Sequence, residues 1–427
     1  MQLKLSKIKI DDVVLGSVTE VEGDKLVVNK GELVNILEDD RRIEKAEVSL
    51  ARPGEKVRII PVKDVIEPRY KAGDNPLFPG SLGEMEKVGS GRTKVLEGVA
   101  VVTTGEIVGI QEGLIDMWGK GAEYTPFSQT INVVLDLTPV AGIDEHDHES
   151  ALRLAGLKAA AYLGQAAADV QGQEEEVLNL PALPRRNESL TDLPKVGYVK
   201  MLIAQGLLHD TYVYGVDAKN ILPTIIHPNE VLDGALVSGN CVAACDKITT
   251  YQHQNNSIIN DLYRRHGEDI SFQGVVLSPE VTTLEGKNRN CQYTASLIET
   301  LGCDGVIISE EGYGNPDSDL LQICKLLEDK GIKTVLVTDE CAGQDGFSQS
   351  LADSRPEAKA VVSTGNVSHP VSLPPAEKIL GYQDTLPNLA GGAEQSLNGD
   401  GGVTVELNAV IGSTSEIGYH NLSTELY

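Results

Sequence analysis

Leu3 and Leu5, then Ile8 and Ile10, alternate with polar neighbours at the start of the chain. That period of two is the pattern of a half-buried strand. Val57-Arg58-Ile59-Ile60-Pro61-Val62 and Val99-Ala100-Val101-Val102 are β-branched runs bounded by Gly, Pro and Asp, again strand signals. The period changes at Glu149–Val170, where Leu152, Leu154, Leu157 and Leu163 sit among many alanines. This stretch predicts a helix, with Gly156 and Gly164 permitting close approach of a neighbour. Gln171 to Pro194 is polar and acidic with three prolines, which predicts a linker or surface crossover.

The second half has a different rhythm. Strands are expected at Phe272–Leu277, Asp304–Ser309, Thr334–Thr338 and Ala360–Ser363, with helices at Tyr293–Leu301 and from Asn315-Pro316-Asp317 to Lys330. Asn315 reads as the cap of the latter helix, Pro316 as its first turn and Gly331 as its end. Alternating strands and helices imply a parallel sheet with right-handed crossovers. Sites in such sheets lie at the carboxyl ends of strands, here Ser309-Glu310-Glu311-Gly312, Thr338-Asp339-Glu340-Cys341 and Ser363-Thr364-Gly365-Asn366. The expected fold class is α/β, a β-rich N-terminal part followed by a C-terminal parallel-sheet domain. The expected divisions are 1–138 (β-rich), 139–195 (helix and linker), 196–240 (a connecting segment) and 241–427 (α/β).

At 427 residues, 41% hydrophobic and 23% charged, the chain has the composition of a globular protein with room for two or three cores. Lys and Arg number 36 against 63 Asp and Glu, a net charge of -27. That balance repels nucleic acid and anionic membrane, so neither is an expected partner. A carboxylate substrate would need positive charge supplied locally. No uncharged apolar run reaches the roughly 18 residues of a membrane span. The start, Met1-Gln2-Leu3-Lys4-Leu5-Ser6-Lys7, lacks the apolar core of a secretory signal. Six cysteines in a chain this long form no secreted disulfide framework. A reducing cytoplasm is the expected compartment.

The candidate chemistry centres on Val237-Ser238-Gly239-Asn240-Cys241-Val242-Ala243-Ala244-Cys245-Asp246-Lys247. A thiol following a peptide bond can attack the preceding carbonyl, converting the amide to a thioester. β-Elimination then leaves dehydroalanine, which tautomerises and hydrolyses to a pyruvoyl ketone, an electrophile able to capture an amine as a Schiff base. Taken alone, Asn-Cys is also consistent with an ordinary buried thiol. Asn240 could also cyclise and cut the same bond, leaving Cys241 intact; inteins that do so usually carry a His before the Asn, where this chain has Gly239. Cys241 and Cys245 could form half of a zinc site with His253 or His209, but no second cysteine pair stands at matching spacing and no metal is expected. His146 and His148, in Asp144-Glu145-His146-Asp147-His148-Glu149, read as part of an acidic helix start favoured by the helix dipole. Gly89-Ser90-Gly91-Arg92-Thr93 lacks the end of a phosphate loop, and Gly312-Tyr313-Gly314 lacks the third glycine of a dinucleotide fingerprint. Cys341 reads as a packed thiol.

Longer words surround the Asn-Cys pair: Gly206-Leu207-Leu208-His209-Asp210-Thr211-Tyr212-Val213-Tyr214-Gly215-Val216-Asp217, Pro223-Thr224-Ile225-Ile226-His227-Pro228-Asn229-Glu230, Asp233-Gly234-Ala235-Leu236-Val237-Ser238-Gly239-Asn240-Cys241 and Thr249-Thr250-Tyr251-Gln252-His253-Gln254-Asn255-Asn256. The sequence closely resembles the proprotein of component B of the glycine/sarcosine/betaine reductases, over nearly its whole length. The resemblance implies cleavage at Asn240-Cys241 and a pyruvoyl group derived from Cys241 that holds the substrate amine as a Schiff base. It implies reductive deamination of a small amino acid to acetyl phosphate and ammonia, with a dithiol as reductant. The implied partners are a selenocysteine-containing component B subunit, the component A selenoprotein and the acetyl-phosphate-forming component C, in a hetero-oligomer. The chain itself shows no selenocysteine, so it would hold and activate the substrate while a partner delivers the displacing selenolate. Nearby acid–base or electrostatic candidates are His227, His253, Asp246 and Lys247. Arg264 and Arg265 could pair with a substrate carboxylate or form a solvated helix face. Betaine has no N–H, so the mechanism favours glycine or sarcosine. A D-proline reductase-like proprotein and a non-enzymatic docking subunit are the alternatives.

Overall fold

The computed structural model describes residues 1–73, 77–105, 107, 112–206, 208–240, 247–349, 351–390 and 395–417. The N-terminal part is β-rich, as its alternation implies. Gln2–Lys9 lies between Gly91–Glu97, parallel to it, and Glu174–Asn179, antiparallel. A second sheet runs in the order Gly113–Asp116, Val57–Ile66, Val99–Thr104, Ile131–Pro139, Ile43–Ala51. All ten residues of Val57–Ile66 are buried because both faces of that strand are covered. Its charged residues are therefore paired: Arg58 donates two bonds to Asp116 at 2.7 and 2.8 Å, and Lys63 meets Glu112.

The long helix spans Glu145–Gln165 and starts four residues before the expected position. Asp144 caps it, accepting from the amides of His146 and Asp147, so the acidic stretch serves the helix start. The two glycines make the close approach their positions predict. A Cβ on Gly156 would stand 2.5 Å from Thr103 Oγ1, and one on Gly164 only 1.9 Å from the Arg69 carbonyl oxygen. Backbone cannot yield as a side chain can, so Gly164→Ala should destabilise the protein by about 1–3 kcal/mol, read as a lower urea midpoint, with Gly142→Ala, which meets no neighbour but has φ +84°, costing only the strain of that turn.

Three expectations need correction. Gln171–Pro194 contains the strand Glu174–Asn179 and the helix Leu183–Ser189, because the acidic strand pairs its carboxylates with the lysines of the neighbouring edge, Lys4 and Lys7. The helix expected from Asn315 has Pro316 as its cap residue with no side-chain bond, and spans Asp317–Glu328. The helix expected at Tyr293–Leu301 begins earlier, at Leu284, because Thr283 caps it through the amide of Gly286.

The parallel sheet has the order Thr224–Ile226, Ser271–Glu280, Lys195–Ile203, Gly305–Ser309, Lys333–Glu340, Val361–Asn366, with only Thr224–Ile226 antiparallel. Helices Leu284–Leu301 and Asp317–Glu328 cover one face, packing Cys291, Ile298, Leu320 and Leu327 on Val199, Met201, Val276 and Ile308. The other face, bearing Tyr198, Leu202, Phe272 and Leu277, packs on Leu232, Leu236, Ile259 and Leu262. The sheet does not belong to the second half alone. Its central strand, Lys195–Ile203, precedes residue 240, while Lys378–Gly381 returns to pair with Val57–Ile66 in the N-terminal sheet. No helix among the described residues is long and apolar enough to cross a membrane.

Candidate active site

The strand Leu236–Ser238 pairs antiparallel with Thr211–Val213 and brings the chain to the carboxyl end of the parallel sheet. Gly239 then donates its amide to the Asp210 carbonyl at 3.0 Å. A Cβ there would lie 2.4 Å from that oxygen, so the backbones could not approach with any other residue. The chain returns at Ile248. Ser238 Oγ donates to the Ile248 carbonyl at 2.7 Å, and the Ser238 amide donates to Thr250 Oγ1 at 3.0 Å. The described chain on either side of residues 241–246 is thus tied together at a neck. Beyond the neck, Thr249 opens the helix Thr250–Gln254 with a reciprocal cap to Gln252. Thr250 donates its amide and hydroxyl to Asp64 at 2.9 and 2.6 Å, fixing the neck to the N-terminal sheet. Burial pushes the Asp64 carboxyl up to about 7 against these hydrogen bonds.

Beneath the neck lies a buried charge cluster. Lys247 Nζ contacts Glu311 Oε1 at 2.6 Å and also donates to Thr211 Oγ1, both charged groups being fully enclosed. Glu311 further accepts from Thr211 Oγ1 at 2.8 Å, the Ile203 amide at 3.0 Å and the Ile248 amide at 3.3 Å. Burial alone would raise its pKa, but the charges of Lys247 and Lys200 and these hydrogen bonds outweigh that and hold it below the usual carboxylate value. Around it, burial pushes Glu280 and Glu310 well above that value. Lys200, on the central strand, is lowered to about 8 by burial, with Glu311 opposing. Burial, with help from the Lys247 charge, lowers His209 to about 4. His253 is driven well below its normal value by burial and by Lys200 and Lys247, so both imidazoles are neutral at pH 7.

The structure gathers some of the expected residues and separates others. Asn240 is buried, and its Nδ2 has no hydrogen-bond partner among the described residues. Lys247 and His253 belong to the same cluster, and both ring nitrogens of His253 lack partners there. Cys241 and Asp246 lie outside the described residues. His227 sits apart: it caps the turn Pro228–Glu230, accepting from the Asn229 amide at Nδ1, while Nε2 meets the Leu180 carbonyl at 3.3 Å. Arg264 and Arg265 end the helix Ser257–Arg265 on its solvated face, where they pair with Asp261 and Asp269. Cys341 is exposed rather than packed, because the chain leaves the sheet there into a surface turn.

Sequence reasoning passed over Lys200 and Asp64, weighed His209 only as a zinc ligand, met Thr211 only inside a family word, and named Glu311 only as part of a strand end. A signal existed for two of them. Lys200 interrupts Tyr198-Val199-Lys200-Met201-Leu202-Ile203, and Asp64 interrupts Val62-Lys63-Asp64-Val65. A charge inside an apolar strand must be paired or functional.

The family described as glycine/sarcosine/betaine reductase component B subunits matches residues 1–425. The chain belongs to that family. It is 51% identical over 430 residues to "Glycine reductase complex component B subunits alpha and beta" of Acetoanaerobium sticklandii, covering 100% of both chains. It is 50% identical over 428 residues to "Sarcosine reductase complex component B subunit alpha" of Peptoclostridium acidaminophilum, again with 100% of both covered. Against "Betaine reductase complex component B subunit alpha" of the same organism, identity is 38% over 434 residues, 98% of each chain. No solved structure matches the chain.

Proposed function

We propose that this component B chain is the substrate-binding proprotein of a glycine- or sarcosine-type reductase, cut between Asn240 and Cys241. The observation that carries the reading is the tied neck. Ser238, Ile248 and Thr250 bring Asn240 and Lys247, the residues flanking the segment that holds Cys241, to the carboxyl end of the parallel sheet, over a cluster that includes two buried lysines. Identity of 51% and 50% to the glycine and sarcosine relatives against 38% for the betaine one supports an amine bearing an N–H.

The surroundings fit a pyruvoyl group at position 241. Asn240 Nδ2 and the His253 nitrogens are buried polar atoms still lacking partners among the described residues, and such atoms rarely stay unsatisfied. When present, that group supplies an electrophilic ketone for the substrate amine. Asn240 supplies the scissile carbonyl. His253, held neutral by burial and by the Lys200 and Lys247 charges and with both ring nitrogens unpartnered among the described residues, is suited to donate and accept hydrogen bonds during processing. Lys247, locked to Glu311 and Thr211, anchors the chain where it returns to the neck. The displacing selenolate comes from partner subunits, the chain having none of its own, and the assembly works in the cytoplasm.

Denaturing mass spectrometry of protein from its native host should show two chains, residues 1–240 and 241–427. The second should resist Edman sequencing and react with o-phenylenediamine. One intact chain from that host would overturn the reading, and a free cysteine at the new end would favour asparagine cyclisation.

A further inference from the structure

Lys200 has no role in the processing described above, yet its position is costly. It lies on the central strand of the parallel sheet with no exposure to solvent, and its Nζ has no hydrogen-bond partner among the described residues. An unpaired buried ammonium costs several kcal/mol. None of the described carboxyls around it accepts a hydrogen bond from its Nζ. Glu311 serves Lys247, Thr211 and the Ile203 and Ile248 amides. Glu280 Oε1 accepts from the Glu311 amide, and Glu416 Oε1 from the Gly312 amide.

Strand alternation sets the direction of the side chain. Val199 and Met201 pack under the helices of one face, while Tyr198 and Leu202 face the opposite layer, and Lys200 shares their side. Tyr198 and Ser309 close that face one step towards the strand's amino end by a 2.6 Å hydroxyl contact. The charges felt by Lys200 are those of Glu311, Lys247, Glu416 and Glu280, and Lys200 in turn bears on His253.

We propose that Lys200 is the carboxylate anchor of the substrate site, its enclosed and unpartnered ammonium receiving the α-carboxylate of the small amino acid while Lys247 stays paired with Glu311. The inference rests on the amino-acid reductase reading above and names how that site holds its substrate. Glycine, sarcosine and betaine, the substrates in the family description, differ in methylation at nitrogen and share a carboxylate on a methylene. A single fixed cation serves all three. An arriving carboxylate also returns the lysine towards its ordinary basicity, which burial has lowered.

The test compares amines with and without a carboxylate on the processed complex. In the unaltered protein, borohydride-dependent capture of radiolabelled glycine should half-saturate far below that of methylamine. In Lys200→Met the glycine value should rise about a hundredfold, the scale of a lost buried charge-assisted pair, and Lys200→Arg should recover part of the loss. Methylamine capture should not depend on residue 200. Separately, acetate should raise the unfolding temperature of the unaltered protein and not of Lys200→Met, a readout that needs no ketone. Glycine capture unchanged in Lys200→Met would overturn the anchor. Should that variant fail to fold, acetate decides on the unaltered protein, since failure to compete with glycine would overturn the anchor equally. Capture of neither amine, with the Lys200-dependent acetate effect intact, would refute the ketone and leave the anchor standing.

Discussion

Cys241→Ala should leave a single chain of 427 residues where the unaltered protein gives fragments of 240 and 187 residues. Alanine removes the attacking sulfur and little else, so processing and turnover should both be lost. Cys241→Ser should process slowly, since a hydroxyl can make the parallel shift to oxygen. Denaturing mass spectrometry of protein made alongside its partners reads the result. Cleavage of the alanine variant would exclude the thiol and assign the cut to Asn240. The topology adds a second expected outcome. Lys195–Ile203 of the first fragment lies between Ser271–Glu280 and Gly305–Ser309 of the second, and Lys378–Gly381 of the second pairs with Val57–Ile66 of the first. Cleaved protein should therefore run as one particle in size-exclusion chromatography without denaturant and separate only on unfolding.

Glu311→Gln should lower stability at pH 7 by about 3–5 kcal/mol, because it strands the buried ammonium of Lys247 without its counter-charge. Glutamine keeps the shape and can still accept from the Ile203 amide, so the loss reports charge rather than packing. The folded protein holds the Glu311 carboxyl below its ordinary value of 4.5. The unfolded chain therefore binds the proton first as pH falls, and stability drops with it. The contribution of Glu311 is complete above pH 4.5 and disappears as pH falls through the lower folded value. Urea midpoints of the two proteins should differ most at pH 7 and converge under acid. An equal difference at both pH values would assign the effect to packing instead of charge.

The sequence by itself determined most of the elements and the family. Period-two alternation marked Gln2–Lys9 and the apolar runs marked Ser271–Glu280, Gly305–Ser309 and Lys333–Glu340, because strand burial leaves a local record in neighbouring residues. The strand-end words held Glu310, Glu311 and Asp339, and the words from Gly206 to Asn256 carried the family. Local pattern also misled: acidic Glu174–Asn179 looked like a linker because its pairing with Lys4 and Lys7 spans about 170 residues of chain. Only the tertiary structure decided which charges meet. Lys200, Lys247 and Glu311 lie far apart in sequence and are brought together by the crossovers of the parallel sheet. His227 and Arg264 stand near Asn240 in the sequence, yet the fold gives one to a turn and the other to solvent. Proximity along the chain records backbone connection, whereas the electrostatics of a buried site depends on distances that exist only once the sheet has closed around it.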